Sequence, residues 1–163
     1  IDFSKKESGL SLLANTPNLV VLQTMSKAFG LAGLRVGMAF ANTEIIAVLN
    51  KIKPPYNVNS LSQVRVLETL NDREKVLAQI SEIQSERTFL INALEQLLTV
   101  KKVYPSEANF ILVEFEDANQ VMRNLRKQGL IIRDKSKEID GALRLTIGIP
   151  QQNKILLETL KRI

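Results

Sequence analysis

Neither cysteine nor histidine occurs in the 163 residues of this chain. Without cysteine there are no disulfides, no thiol chemistry and no zinc fingers, a composition that fits a reducing compartment such as the cytoplasm. Without histidine a Ser–His triad loses its base. Tryptophan is absent too, and aromatic residues make up only 5% of the sequence, so a core has to be built from Leu, Ile and Val. No apolar stretch approaches the ~20 residues of a membrane-spanning helix. The opening Ile1-Asp2-Phe3-Ser4 lacks an initiator Met and any signal-peptide pattern. It reads as a strand end entering a loop, inside a longer protein. Chemistry is left to Lys, Arg, Ser, Thr, Tyr, carboxylates or a cofactor.

What is present is ordinary for a globular fold: 45% of the residues are apolar. A chain of ~150 residues buries about two-thirds of its unfolded surface, enough for a core. The 22 basic and 17 acidic residues leave a charge of +5. Such an excess can serve nucleic acid, but that footprint is a clustered basic patch. Here the charges are interspersed, so neither a nucleic-acid nor a membrane partner is expected. Phosphorylated or carboxylated small molecules suit the same charge balance.

Along the chain, Pro17-Asn18 signals a turn and Leu19-Val20-Val21-Leu22 a short buried strand. A small, polar loop follows over Gln23–Gly30, then a second strand over Gly33–Ala41. Asn42 or Thr43 caps a helix to about Asn50, and Lys53-Pro54-Pro55-Tyr56-Asn57-Val58-Asn59 is a loop. Ser60 opens a helix to about Leu70. Asp72 caps a longer one whose apolar positions Val76, Ile80, Ile83, Leu90, Leu94 and Leu97 keep helical spacing to about Leu98. The last third predicts a strand at Asn109–Phe115, a helix at Asn119–Gln128, strands at Leu130–Arg133 and Ala142–Gly148, and a helix from Gln151 to Ile163. That β-α-β-β-α order suggests a small α+β unit.

The chemistry concentrates in Thr24-Met25-Ser26-Lys27-Ala28-Phe29-Gly30-Leu31-Ala32-Gly33-Leu34-Arg35-Val36-Gly37. A lysine follows a strand, beside two hydroxyls. Eight residues later an arginine opens the next strand, between two glycines. Two readings stand on these residues alone. A loop lysine is ordinarily a solvated charge, and Ser-Lys by itself says little. Alternatively, a deprotonated lysine amine attacks an aldehyde, while hydroxyls and a guanidinium hold a phosphate. Together those describe pyridoxal-phosphate chemistry. Arg133 and Arg144 are likewise either exposed strand charges or anion ligands. Asn109 is either a polar strand cap or a cleft residue. Tyr56 and Asn57 read as a stiff turn, and Tyr104 and Phe110 as core.

The string from Ser26 to Gly37 resembles the cofactor-lysine segment of the fold-type I pyridoxal-phosphate-dependent aminotransferases. Within them it is most similar to the histidinol-phosphate aminotransferases. The resemblance continues through Ile1–Ser4, the loop Lys53–Asn59, Ser106-Glu107-Ala108-Asn109-Phe110, Gly129–Asp134 and Leu143–Gly148. It implies an α/β fold comprising the end of the large cofactor-binding domain (1–71), a long connecting helix (72–100) and a small α+β domain (101–163). It implies Lys27 as the catalytic lysine that carries pyridoxal 5'-phosphate, with Thr24, Ser26 and Arg35 on its phosphate. Arg144 would bind the α-carboxylate of glutamate or 2-oxoglutarate. Arg133 would bind the other substrate's phosphate or a distal carboxylate, and Asn109 would lie in the substrate cleft. The family's Asp and Tyr that touch the cofactor ring, its ring-contacting Asn and its glycine-rich phosphate loop would all lie upstream of Ile1.

The expected activity is amino-group transfer between L-histidinol phosphate and 2-oxoglutarate in histidine biosynthesis, by a cytoplasmic homodimer acting on small-molecule amino donors and keto acids, with no metal. The chain alone is expected to be inactive. Alternatives are a threonine-phosphate decarboxylase, an aromatic aminotransferase, or a non-catalytic module for phosphorylated ligands or nucleic acid.

Overall fold

In the computed structural model, which describes residues 1–163 throughout, the chain divides into two units, Ile1–Gln79 and Ile80–Ile163. Each unit has its own antiparallel sheet.

In the first unit the apolar run at Leu19–Leu22 becomes strand β1 only from Val21, and β1 continues to Thr24. It pairs with β2 (Gly37–Phe40) in the register Val21↔Phe40, Leu22↔Ala39, Gln23↔Met38 and Thr24↔Gly37. Gly37 makes this close approach possible, because a Cβ there would sit 3.2 Å from the Gln23 carbonyl oxygen. The predicted strand over Gly33–Ala41 is shorter than its sequence suggests. Its first residues form a 3-10 turn, Ala32–Leu34, and Arg35 adopts a left-handed conformation with φ 57. Arg35 therefore stands before the strand rather than in it. Helix α1 (Thr43–Ile52) is capped by Asn42, whose Oδ1 accepts the Ile45 N–H at 2.8 Å. Helix α2 (Ser60–Asn71) is capped by Asn59, whose Oδ1 accepts the Ser62 N–H at 2.9 Å.

The expected burial of β1 is not observed: Leu22 is 77% exposed. A two-stranded ladder has one neighbour per strand and no covering layer on this face, so alternate side chains meet solvent. Ile52, Leu61 and Leu67 are exposed on α1 and α2 in the same way. The buried apolar residues of this unit are Phe3, Met25, Ala28 and Val76.

Helix α3 (Arg73–Leu94) is 22 residues long, about 33 Å at ~1.5 Å per residue. It stops four residues short of the predicted end at Leu98, which is itself exposed. In the second unit β3 (Val100–Val103), β4 (Phe110–Phe115), β6 (Ala142–Thr146) and β5 (Arg133–Asp134) lie in that order across the sheet. Helices α4 (Ala118–Lys127) and α5 (Pro150–Leu160) complete it.

The alternation in β4 explains the packing. Ile111, Val113 and Phe115 are fully buried, as are Leu143 and Leu145 of β6. They share a core with Leu90 and Leu94 of α3, Val121 and Leu125 of α4, and Leu156, Leu157 and Leu160 of α5. The helices thus supply one side of the sheet's packing. Phe110, Leu112, Glu114 and Arg144 point to the opposite face and are only half-buried.

Two strands differ from expectation. β3 was not foreseen, because two adjacent lysines interrupt its alternation; as an edge strand it carries those charges outward, which discourages further pairing. Of the strand expected at Leu130–Arg133 only Arg133 is in a strand, paired together with Asp134, and Ile131 is 91% exposed.

Leu143→Ala should cost about 2–5 kcal/mol of stability, read from urea unfolding, because it empties a fully buried site. Leu22→Ser should leave that stability within ~0.5 kcal/mol while reducing self-association, read by analytical ultracentrifugation. Equal destabilisation by the two changes would contradict the burial described.

Candidate active site

Residues Met25–Leu31 form a tight turn whose local bonds present one lysine. Met25 and Ala28 are buried and anchor the turn. Gly30 N–H donates to the Lys27 carbonyl at 3.0 Å and Leu31 N–H to the Met25 carbonyl at 3.0 Å. Gly30 has φ 68, a conformation that glycine adopts without steric cost. Between the two anchors Lys27 is exposed.

Beside it, the Thr24 hydroxyl donates to Ser26 Oγ at 2.8 Å, and the Ser26 N–H donates to Thr24 Oγ1 at 3.1 Å. Two hydroxyls are thereby held together on the strand side of the turn. Arg35 reaches this segment through the backbone: Met25 N–H donates to the Val36 carbonyl at 3.1 Å, which continues the β1–β2 ladder past Thr24. Its guanidinium Nη1 donates to the Ala32 carbonyl at 3.1 Å and is otherwise exposed. Two hydroxyls, a guanidinium and an amine in one loop system form a donor set for a phosphate ester that also bears an aldehyde.

Three bonds shape the approach to this loop from α2. Asn59 takes the Ser62 N–H, the Gln63 amide donates to the Val58 carbonyl at 2.9 Å, and the Ser62 hydroxyl donates to the Leu34 carbonyl at 3.3 Å. Ser62 is 4% exposed. Ser62 is absent from the sequence candidates, because its partner Leu34 lies 28 positions away. Tyr56 and Asn57, in the proline-stiffened loop, are exposed.

The second unit holds the remaining candidates on the less covered face of its sheet. Arg133 and Arg144 are direct cross-strand partners, and Leu112 is the partner of Arg144 on its other side. Opposed side chains in an antiparallel pair have Cβ atoms ~4.5–5.5 Å apart, so the two arginines leave the same face of the sheet as neighbours. The Arg144 guanidinium carbon lies 5.1 Å from the centre of the Phe110 ring. Its Nε is buried without an acceptor. A stacked guanidinium with an unsatisfied N–H, next to a second cation, is electrostatically prepared for an anion.

Phe110, expected as core, is half-buried and supports this arginine instead. Asn109 lies at the end of the same ladder, where its carbonyl accepts the Ile147 N–H at 3.0 Å. Arg87 of α3 holds the neighbouring Ala108 carbonyl at 2.9 Å. Further along β4 the Tyr104 hydroxyl donates to Glu114 Oε2 at 3.2 Å, and Lys102 lies 4.4 Å from the Tyr104 ring centre. Desolvation and the nearby Glu114 carboxylate raise the Tyr104 pKa. The Asp134 carboxyl is held below its usual range by the hydrogen bonds from Ser136, and Glu138 by its bond from Lys135.

The sequence candidates thus fall into two groups, Thr24, Ser26, Lys27 and Arg35 in the first unit and Asn109, Arg133 and Arg144 in the second.

The family described as Aminotransferase class I and II matches residues 2–160. The chain is 46% identical, over 163 residues, to the histidinol-phosphate aminotransferase of Flavobacterium johnsoniae, covering 99% of this chain and 47% of that protein. A crystal structure of the histidinol-phosphate aminotransferase from Clostridium acetobutylicum superposes with a TM-score of 0.88 at 25% identity, over 99% of this chain and 50% of that one. The crystal structure of L-threonine-O-3-phosphate decarboxylase from Porphyromonas gingivalis matches with a TM-score of 0.79 at 26% identity, over 99% of this chain and 52% of that one. The chain spans about half the length of the curated relatives it matches.

The facing arginines predict a measurable repulsion. Arg133→Gln should raise the melting temperature at low salt by the equivalent of ~0.2–1 kcal/mol. The gain should shrink toward zero in about 1 M salt, where the screening length is ~3 Å. A loss of stability at low salt, or a gain indifferent to salt, would speak against opposed cations.

Proposed function

The chain belongs to the class I and II aminotransferases, and from that premise we propose that it serves amino-group transfer from L-histidinol phosphate to 2-oxoglutarate, giving imidazole acetol phosphate and glutamate. The observation that carries the reading is the lysine loop: Lys27 is exposed beside the bonded Thr24–Ser26 hydroxyl pair, with Arg35 closing the same segment. Relatives named histidinol-phosphate aminotransferases, at 46% and 48% identity, support the choice of substrate.

The donor set fits pyridoxal 5'-phosphate. When bound, that cofactor supplies an aldehyde for amines and a ring that delocalises the electron pair left at the substrate α-carbon. Thr24 and Ser26 donate hydroxyl hydrogens to the phosphate, and Arg35 adds a charge-assisted fork. Lys27 would hold the cofactor through its Nζ, the amine in this segment able to bond an aldehyde. The same amine, when not bonded to the cofactor, would serve as general base and then general acid for the proton of the substrate α-carbon. Arg144 binds the α-carboxylate of glutamate or 2-oxoglutarate, stiffened by its stacking on Phe110. Arg133 binds the phosphate of the other substrate or the distal carboxylate, and Asn109 borders the same strand end. The relatives are about twice this length, and the chain by itself is proposed to be inactive. The working state proposed is a homodimer in the cytoplasm. No helix is long and apolar enough to cross a membrane.

A second reading, decarboxylation of a phosphorylated amino acid, is favoured by the fold match to the threonine-phosphate decarboxylase. Release of carbon dioxide rather than a keto product from the phosphorylated substrate separates the two.

In the full-length enzyme Lys27→Ala should abolish transamination, with thermal stability retained; more than a trace of turnover without added amines would overturn the assignment. Arg144→Lys should lower kcat/KM for glutamate about tenfold or more, since a charge-assisted hydrogen bond is worth ~1.5–3 kcal/mol. Histidinol phosphate has no carboxylate, so its half-reaction should change by less than about threefold. Equal losses in both half-reactions would remove the carboxylate role.

A further inference from the structure

Arg35 is the only residue other than glycine with a positive φ. A side chain in the left-handed region is strained and persists only where its surroundings impose the conformation. The peptide plane on its N-terminal side contains the Leu34 carbonyl. That oxygen accepts the hydroxyl of Ser62, across 28 positions of sequence. On the C-terminal side the Val36 carbonyl is held by the Met25 N–H. The backbone is therefore pinned on both sides of Arg35, once by the β1–β2 ladder and once by a side chain.

Ser62 is built for this task. The Asn59 cap already takes its N–H, and burial leaves the hydroxyl no solvent to bond. Ser62 and Asn153 are the buried polar side chains of the chain. Asn153 has an evident structural role, because it bonds both backbone groups of Gly148 and the Glu86 carboxylate. The one hydrogen bond donated by the Ser62 hydroxyl goes to the peptide that sets the direction of Arg35.

We propose that Ser62 is a positioning residue for the phosphate-binding arginine: its buried hydroxyl, by holding the Leu34 carbonyl, keeps Arg35 in the left-handed turn that aims it at the cofactor phosphate. The proposal rests on the reading of Thr24, Ser26 and Arg35 as the phosphate site. Releasing the Leu34 carbonyl lets the turn relax. The fraction of molecules with Arg35 in place then falls, and apparent affinity falls with it.

The test separates phosphate binding from general damage by comparing pyridoxal phosphate with pyridoxal, which lacks the phosphate. Each is titrated against the protein, and occupancy is read as the fraction of Lys27 fixed by borohydride, located by peptide mass. Ser62→Ala should weaken pyridoxal phosphate about three- to tenfold, the scale of one lost hydrogen bond, and leave pyridoxal unchanged. Ser62→Thr, which keeps the hydroxyl, should restore the wild-type value. In an Arg35→Ala background the Ser62→Ala change should have no further effect on either ligand.

Parallel loss for both ligands in Ser62→Ala would mean a merely structural serine and would overturn the proposal. So would an unchanged ratio of the two affinities. If Arg35→Ala itself fails to erase the preference for pyridoxal phosphate, the phosphate site is wrongly assigned and both readings fall. If that preference is erased while Ser62→Ala changes nothing, only the role of Ser62 fails.

Discussion

A non-glycine residue in a left-handed turn has to be held there, and Arg35 is held by its neighbours rather than by its own preference. The Met25–Val36 bond extends the β1–β2 ladder into the turn, and Leu31 N–H returns to the Met25 carbonyl. Through those bonds one residue, Met25, fixes both the loop that presents Lys27 and the turn that carries Arg35. Met25 is also 1% exposed, so packing and hydrogen bonding secure the same point. The geometry of the candidate cofactor site follows from this junction.

The second unit solves a different problem. Its sheet has one fully buried apolar face and one half-buried mixed face, and a strand period of two provides both from the same strands. Ile111, Val113 and Phe115 alternate with Phe110, Leu112 and Glu114 along β4. Leu143 and Leu145 alternate with Arg144 on β6. Core burial and the placement of the candidate arginine are thus written into one register. A slip by one residue would bury the arginine and expose the leucines.

The two units differ in how completely they bury their apolar residues. The second has a continuous core from three helices and the sheet. The first leaves Leu22, Ile52 and Leu61 exposed around a two-stranded ladder. Hydrogen bonds, more than a core, shape this unit around the lysine loop: the local caps at Asn42 and Asn59, the Gly30 turn and the long-range Ser62–Leu34 bond.

Short-range physics was legible in the sequence. Helix starts at Asn42 and Asn59–Ser60, the stop at Pro54-Pro55, the alternation of β4 and β6 and the lysine–hydroxyl–arginine string all depend on residues a few positions apart. The helix from Arg73 was visible in its spacing, but its end at Leu94 was not, since the apolar pattern runs on through Leu97. The short strand β3 was hidden by Lys101 and Lys102, and β5 begins only at Arg133, after the apolar run Leu130–Ile132 has ended. Tertiary structure alone decided the pairing of Arg133 with Arg144, the stacking of Arg144 on Phe110 and the bond from Ser62 to Leu34. Those contacts join residues from 11 to 34 positions apart, and strand register, which sets the first two, is fixed only when the whole sheet chooses which face to bury.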